Sequence, residues 1–221
     1  MLPAIIQFKL AMGAMTGWMA AAGPAPVPVA TLAVMMEARV VEPIEVPIFD
    51  ENHANEITVV IGRDGGTDLA TTGILTHVFR CKRTDHEHRI AAATLGLIAN
   101  VADHYRTDRA ATIVLVSGYR AWAEESATSP HRAARAVDFR LRTVPMGELR
   151  DYLWRNGSTF GSVGVGWYPG EGFLHIDSRP GVPDIAWTAL HHHNQYHPAW
   201  SEAAMVPPDQ KRERPSHKPG V

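Results

Sequence analysis

"SVGVGWYPGEGFLHIDSR" (162–179) is the stretch whose reading decides the fold. Two runs rich in β-branched and aromatic residues flank a Pro-Gly pair, so it reads as two strands joined by a turn. In the second strand Leu174 and Ile176 face a core, whereas Phe173, His175 and Asp177 share the other face, because side chains alternate across a strand. His175 and Asp177 then stand side by side, about 7 Å apart for two residues of extended chain.

Upstream, "RAVDFRLR" (135–142) alternates in the same way. Val137, Phe139 and Leu141 take one face, Asp138 and Arg140 the other. His131 sits in the loop just before this strand, so the loop can fold His131 and Asp138 towards a common point. "ATIVLVSGYR" (111–120) reads as a buried strand ended by Gly118. Ile90, Thr94, Leu97, Ile98, Val101 and Tyr105 recur at helical spacing and predict an amphipathic helix against a core. "PMGELRDYLWRNG" (145–157) predicts a helix stopped by a left-handed cap at Gly157. "EITVVIG" (56–62) and "TGILTHVFR" (72–80) read as strands on their β-branched content. Strands and helices mix without a regular βαβ rhythm, so the expectation is an α+β single domain, an antiparallel β-sheet with flanking helices.

A chain of 221 residues, 45% hydrophobic and 20% charged, suits one well-buried domain with length left over. The net charge of -2 and scattered basic residues give no basic stripe for nucleic acid. The single cysteine, Cys81, excludes an internal disulfide framework and leaves the redox compartment open. "LAMGAMTGWMAAA" (10–22), after Lys9, has the length of a signal-peptide core and is short for a bilayer span. It reads as a signal or weak anchor, or as an apolar helix packed on the domain. The first reading places the protein in the periplasm or outside the cell, the second in the cytoplasm. "GPAPVPVA" (23–30) is an extended Pro-rich linker. The expected layout is therefore a leader and linker over 1–30, the domain over 45–200 and a polar, Pro-rich disordered tail over 205–221.

Two imidazoles, His131 and His175, with the Asp138 carboxylate and an open fourth position make a catalytic zinc site. Neutral histidines and one aspartate leave the site net positive, which favours ionising a water near neutral pH. Each piece alone is weak, since an isolated strand histidine is more often structural. The order "VSGYR" (116–120), "SPHRAARAVDFR" (129–140), "GVGWYPGEGFLHIDSR" (164–179) is more specific. It resembles the M15-type zinc D,D-peptidases and murein endopeptidases with their domain-of-unknown-function relatives, over about 68–187.

The resemblance implies a Hedgehog/DD-peptidase-like fold and one Zn2+ per chain on His131, Asp138 and His175. The implied activity is hydrolysis of an amide bond in peptidoglycan stem or cross-link peptides. It makes Arg120 a cation for a substrate carboxylate or an oxyanion, and Ser129 a loop-capping or substrate-binding residue. Departures stand beside it. The family glycine between the first two ligands is Ala134, and "AWAEESAT" (121–128) replaces the usual Asn-bearing segment.

Related D-Ala-D-Ala dipeptidases carry a glutamate at the position of Gly172. The general base is then Asp177, on the face of His175, or Glu171, one step before that glycine. Asp177 has the alternative of orienting a ligand imidazole. Trp167 and Tyr168 are expected to line the cleft, with core packing the alternative for the tryptophan. "HHHNQYH" (191–197) is at most an adventitious metal binder. No Gly-Lys-Ser/Thr closes the glycine run into a phosphate loop, and no Gly-x-Ser-x-Gly elbow occurs. Two readings remain: a zinc peptidase, and a non-catalytic module of the same fold that binds wall peptides. Oligomeric state is not legible from the sequence.

Overall fold

The hairpin that opens the sequence argument forms as β5, Val163–Tyr168, and β6, Phe173–Ser178, paired antiparallel from Val163↔Ser178 to Tyr168↔Phe173. The structure is a computed structural model and describes residues 43–107, 111–191 and 193–205. The leader and linker over 1–30 and the tail beyond Met205 lie outside the described residues.

Among the described residues β1 (Ile44–Asp50), β2 (Asn55–Ile61), β3 (Ile113–Ser117), β4 (Ala136–Leu141), β7 (Ile185–Leu190) and β8 (His193–Tyr196) join that hairpin in one sheet. The strand order is β2-β1-β3-β4-β6-β5-β7-β8. The helices are α1 (Leu69–Val78), α2 (Ala92–His104), α3 (Met146–Asn156) and α4 (Ala199–Met205). The architecture is α+β, but the sheet is mixed rather than antiparallel. β1 runs parallel to β3, and β5 to β7. The reason is topological: β6 folds back on one side of β5, and the chain then crosses to place β7 on the other side in the direction of β5.

The expected strand over 72–80 is a helix, α1. Asp68 caps it, its Oδ1 accepting from the Thr71 amide at 2.6 Å, a contact that satisfies one of the unpaired donors of the first turn. Its buried Leu75 and Val78 stand three apart while Ile74 is 47% exposed, so a helical stripe overrides the β-branched composition. Pro47 sits inside β1 just before that strand meets β3 at Ile48, where one side of the strand has no ladder partner and a proline is tolerated.

The apolar face of the sheet carries Val137, Phe139, Val165, Leu174 and Ile176, all buried with Leu95, Ile98, Leu149 and Leu153 of α2 and α3. Gly157 follows α3 with φ -59° and ψ -40°, so it is right-handed, not the left-handed cap expected. Its role is close approach: a Cβ there would meet Leu153 O at 2.7 Å and Val163 Cγ2 at 2.8 Å. On the same side the Arg150 guanidinium lies 4.6 Å from the ring centroids of both Trp167 and Trp200. Stacking between two rings at a mostly buried site is worth about 1–3 kcal/mol. Arg150→Ala is accordingly expected to lower unfolding stability by that amount in denaturant titrations. An unchanged midpoint would show that the sandwich contributes nothing.

Candidate metal centre and cleft

The polar face of the sheet is assembled by register. Ser117 pairs with Asp138, Asp138 with His175, His175 with Gly166, Gly166 with Trp187, and Trp187 with Tyr196. One row of side chains therefore crosses six strands on the face away from the helices. The next row is Ala136, Asp177, Gly164 and Ile185. Both glycines in "GVGWY" belong to this face, and both clear space. A Cβ on Gly166 would lie 2.4 Å from the Trp187 ring, and one on Gly164 would lie 2.0 Å from Asp177 Oδ2.

His131 reaches this row from the turn between β3 and β4. Its carbonyl accepts from the amides of Arg120 at 3.3 Å and Ala134 at 3.0 Å. Ala134 is fully buried with φ 51°. Where the resembling family has glycine, this chain thus holds an alanine in the left-handed region, a strain of about 1–2 kcal/mol.

Three ligand atoms converge. His131 Nε2 lies 3.1 Å from Asp138 Oδ1 and 3.1 Å from His175 Nδ1, and the last two atoms are 2.9 Å apart. Among the described residues this is the one group of histidine, cysteine or carboxylate side chains that could hold a metal. All three residues are buried, at 2%, 2% and 5% exposure for His131, Asp138 and His175.

The outer nitrogens fix the tautomers. His131 Nδ1 is 2.7 Å from Gly118 O, a carbonyl that only accepts, so Nδ1 carries the proton and Nε2 presents a lone pair. His175 Nε2 is 3.2 Å from Asp177 Oδ2 and donates to it, turning Nδ1 inward. Two lone pairs and a carboxylate oxygen aimed at one point repel each other unless a cation or proton lies between them. Donor atoms around a tetrahedral zinc stand about 3.3 Å apart, so the nitrogen and oxygen set present here fits that ion.

Electrostatics agree with that reading. Burial lowers the His131 pKa and outweighs the nearby Asp138. Burial also opposes charge on His175, but hydrogen bonds to Asp138 and Asp177 outweigh it and raise that pKa to about 9. Burial opposes the Asp138 charge as well, yet the two imidazoles hold its carboxyl well below the usual range. Of the two imidazoles, the surroundings therefore favour charge on His175 and oppose it on His131.

The other candidates fall into place around a cleft of about 560 Å³. Arg120 is not a bare substrate cation. Nη2 donates to Asp138 Oδ2, Nε donates to Ser117 Oγ at 3.1 Å, and Nη1 lies 3.8 Å from Glu125 Oε2. Ser129 lines the cleft, and its carbonyl accepts from the Arg132 and Ala133 amides. Tyr168 lines the cleft too, its hydroxyl accepting from Trp187 Nε1 at 3.3 Å while its ring stacks on Phe173.

Trp167 does not line the cleft. It alternates away from Gly166 and Tyr168 to the helical face, under Arg150. Glu171 is exposed on the β5–β6 turn and lines the cleft. Asp177 is 1% exposed, between His175 and Arg179. Three of the histidines in 191–197, His191, His193 and His197, fall among the described residues, and none joins the converging group.

The sequence reading missed Trp187, Tyr196, Asn194, Glu125 and Arg179, all of which line the cleft. One signal was present. Glycine at every second position of a strand empties the face that two strand aspartate and histidine residues share, and something large must fill it.

The Peptidase M15_2 family model, described as "Peptidoglycan L,D-endopeptidase MepK", matches residues 40–182. A protein of Haemophilus influenzae named "Probable peptidoglycan L,D-endopeptidase MepK" is 28% identical over 118 residues, which cover 48% of this chain and 60% of that relative. No solved structure matches.

Proposed function

The chain belongs to the Peptidase M15_2 family, and on that premise we propose that it hydrolyses an amide bond in the peptide cross-links of peptidoglycan. The names printed for the family and for the relative support an endopeptidase acting on an L,D bond, in place of a carboxypeptidase. Such a substrate lies outside the cytoplasm, and the apolar run over 10–22 would then serve as the signal or anchor.

The observation that carries the proposal is the convergence of three buried acceptor atoms whose outer partners all turn them inward. His131, Asp138 and His175 would hold a zinc ion. When bound it supplies Lewis-acid polarisation of the scissile carbonyl and a nucleophile source at neutral pH.

The chain's own groups do the rest. Gly118 O and Asp177 fix the two imidazoles, and Arg120 holds the outer oxygen of Asp138, so no ligand can rotate. Trp187 donates to the Tyr168 oxygen, which leaves the phenolic proton to donate to the substrate. Asp177 is committed to His175 and serves as a positioning residue. We assign the proton transfer to Glu171, the cleft carboxylate that has no partner among the described residues. It would take a proton from the attacking water and return it to the leaving amine.

The second reading, a non-catalytic peptide binder, is favoured by one feature: Gly172 stands where related dipeptidases carry glutamate. Incubating the metal-loaded protein with cross-linked muropeptides separates the two. New amines that disappear on adding a chelator are expected. Intact substrate that binds measurably would establish the binder.

A second outcome concerns protons. Metal binds the deprotonated imidazole, and at pH 7 only His175 holds a proton that must leave. Zinc uptake is expected to release at least one proton per chain at pH 7, the His175 share fading above about 9 and any further proton coming from the water that the ion would acidify. Calorimetry in buffers of different ionisation enthalpy measures this. Release of well under one proton at pH 7 would contradict the assignment.

A further inference from the structure

We propose that Arg179 is the receptor for a free carboxylate carried by the peptide substrate and so sets which peptides are cut. The inference rests on the hydrolytic reading above and deepens it. Two guanidinium groups reach the cleft wall beside the converging ligands, Arg120 and Arg179. Arg120 is engaged through all three of its nitrogens, by Ser117, Asp138 and Glu125. Its place is to hold a metal ligand still.

Arg179 is engaged far less. Its side chain's one partner among the described residues is Asp177 Oδ1, 3.5 Å from Nη1, which is long for a hydrogen bond. Its Nε is buried and meets no acceptor among the described residues. A guanidinium offers five N–H donors in a fork matched to a carboxylate. The terminal Nη groups carry the exposed part of the side chain and are weakly paired, so an anion entering the cleft would engage them.

The site is built rather than incidental. The Arg179 amide donates to Ser162 O at 2.7 Å, fixing the backbone immediately after β6. The floor beneath its guanidinium is Gly164, where a Cβ would come within 3.3 Å of Nη1. The side chain is 27% exposed, enough to meet a ligand and too little to be fully solvated. Through Asp177, whose other oxygen holds His175, Arg179 stands one side chain away from a metal ligand. A carboxylate on it would therefore lie within a residue or two of the scissile bond.

The experiment uses the full chain, zinc-loaded, and a matched pair of cross-link peptides. One carries a free carboxylate on the residue flanking the cut bond, the other its carboxamide. The wild-type protein is expected to favour the carboxylate by about 10- to 100-fold in kcat/KM, the range for a hydrogen bond to a charged group. In Arg179→Gln that ratio is expected to fall towards one, the loss appearing in KM, with Arg179→Lys recovering part of it.

A ratio unchanged in Arg179→Gln overturns the proposal. A ratio lost together with bound zinc also overturns it, because Arg179 would then act only by anchoring Asp177. If the wild type cleaves neither peptide, the hydrolytic reading has failed, and calorimetric binding of the same pair decides the receptor separately. Tighter binding of the carboxylate by wild type alone sustains it, and equal binding ends it.

Discussion

Asp138→Asn is expected to leave the purified protein with almost no zinc and to reduce peptide hydrolysis by at least about a thousandfold. Its Oδ1 is the atom both imidazoles share, at 3.1 and 2.9 Å, and its Oδ2 accepts from Arg120. The amide keeps the size and loses the charge. Lewis-acid stabilisation is worth several kcal/mol, and each 1.4 kcal/mol is a factor of ten in rate. Removing the carboxylate also strands the Arg120 guanidinium beside Ser117 with only Glu125, at 3.8 Å, to balance it. His131→Ala and His175→Ala are expected to lose metal likewise, whereas Arg150→Ala, on the helical face, keeps it. Metal analysis after dialysis against buffer decides the matter. One zinc per chain retained by all three ligand variants would remove the centre, whatever the family.

Much of this centre was legible before any coordinates. Period-two alternation alone put Asp138 and His175 on the polar faces of their strands, and the register then sets them directly opposite each other. What alternation cannot show is which strands are neighbours. That β4 pairs with β6 while β5 lies beyond is a long-range choice, and with it came the parallel β5–β7 pair that the expectation of an antiparallel sheet excluded. Trp167 and Tyr168, adjacent in sequence, cannot both line one face; the alternation that succeeded for His175 assigns the tryptophan to the helices. β-branched content alone suggests a strand at α1, whereas the Asp68 cap and the Leu75–Val78 spacing make it a helix. Arg120 was legible as important but not in its role, since nothing in "VSGYR" says that its guanidinium turns back onto a residue 18 positions further on. Arg179 and Trp187 depend on a floor of glycines, a property of neighbouring strands.

The second large effect is expected at that floor. In Gly164→Ala the new methyl would sit 2.0 Å from Asp177 Oδ2 and 2.8 Å from its Cγ. Asp177 is 1% exposed and has little room to yield. It must leave His175 Nε2, the acceptor that turns Nδ1 inward. Loss of such a partner typically costs 10- to 100-fold in metal affinity, and the overpacking adds about 1–3 kcal/mol of instability. Gly170→Ala is the control, because nothing lies within 4 Å of a Cβ there; it is expected to change neither quantity. The clash further predicts strong non-additivity. In an Asp177→Ala background the obstructing carboxylate is gone, so adding Gly164→Ala should cost almost nothing more in zinc affinity. If the glycine substitution weakens zinc binding equally in both backgrounds, its damage comes from the backbone of β5, and Asp177 is not what holds the imidazole in place.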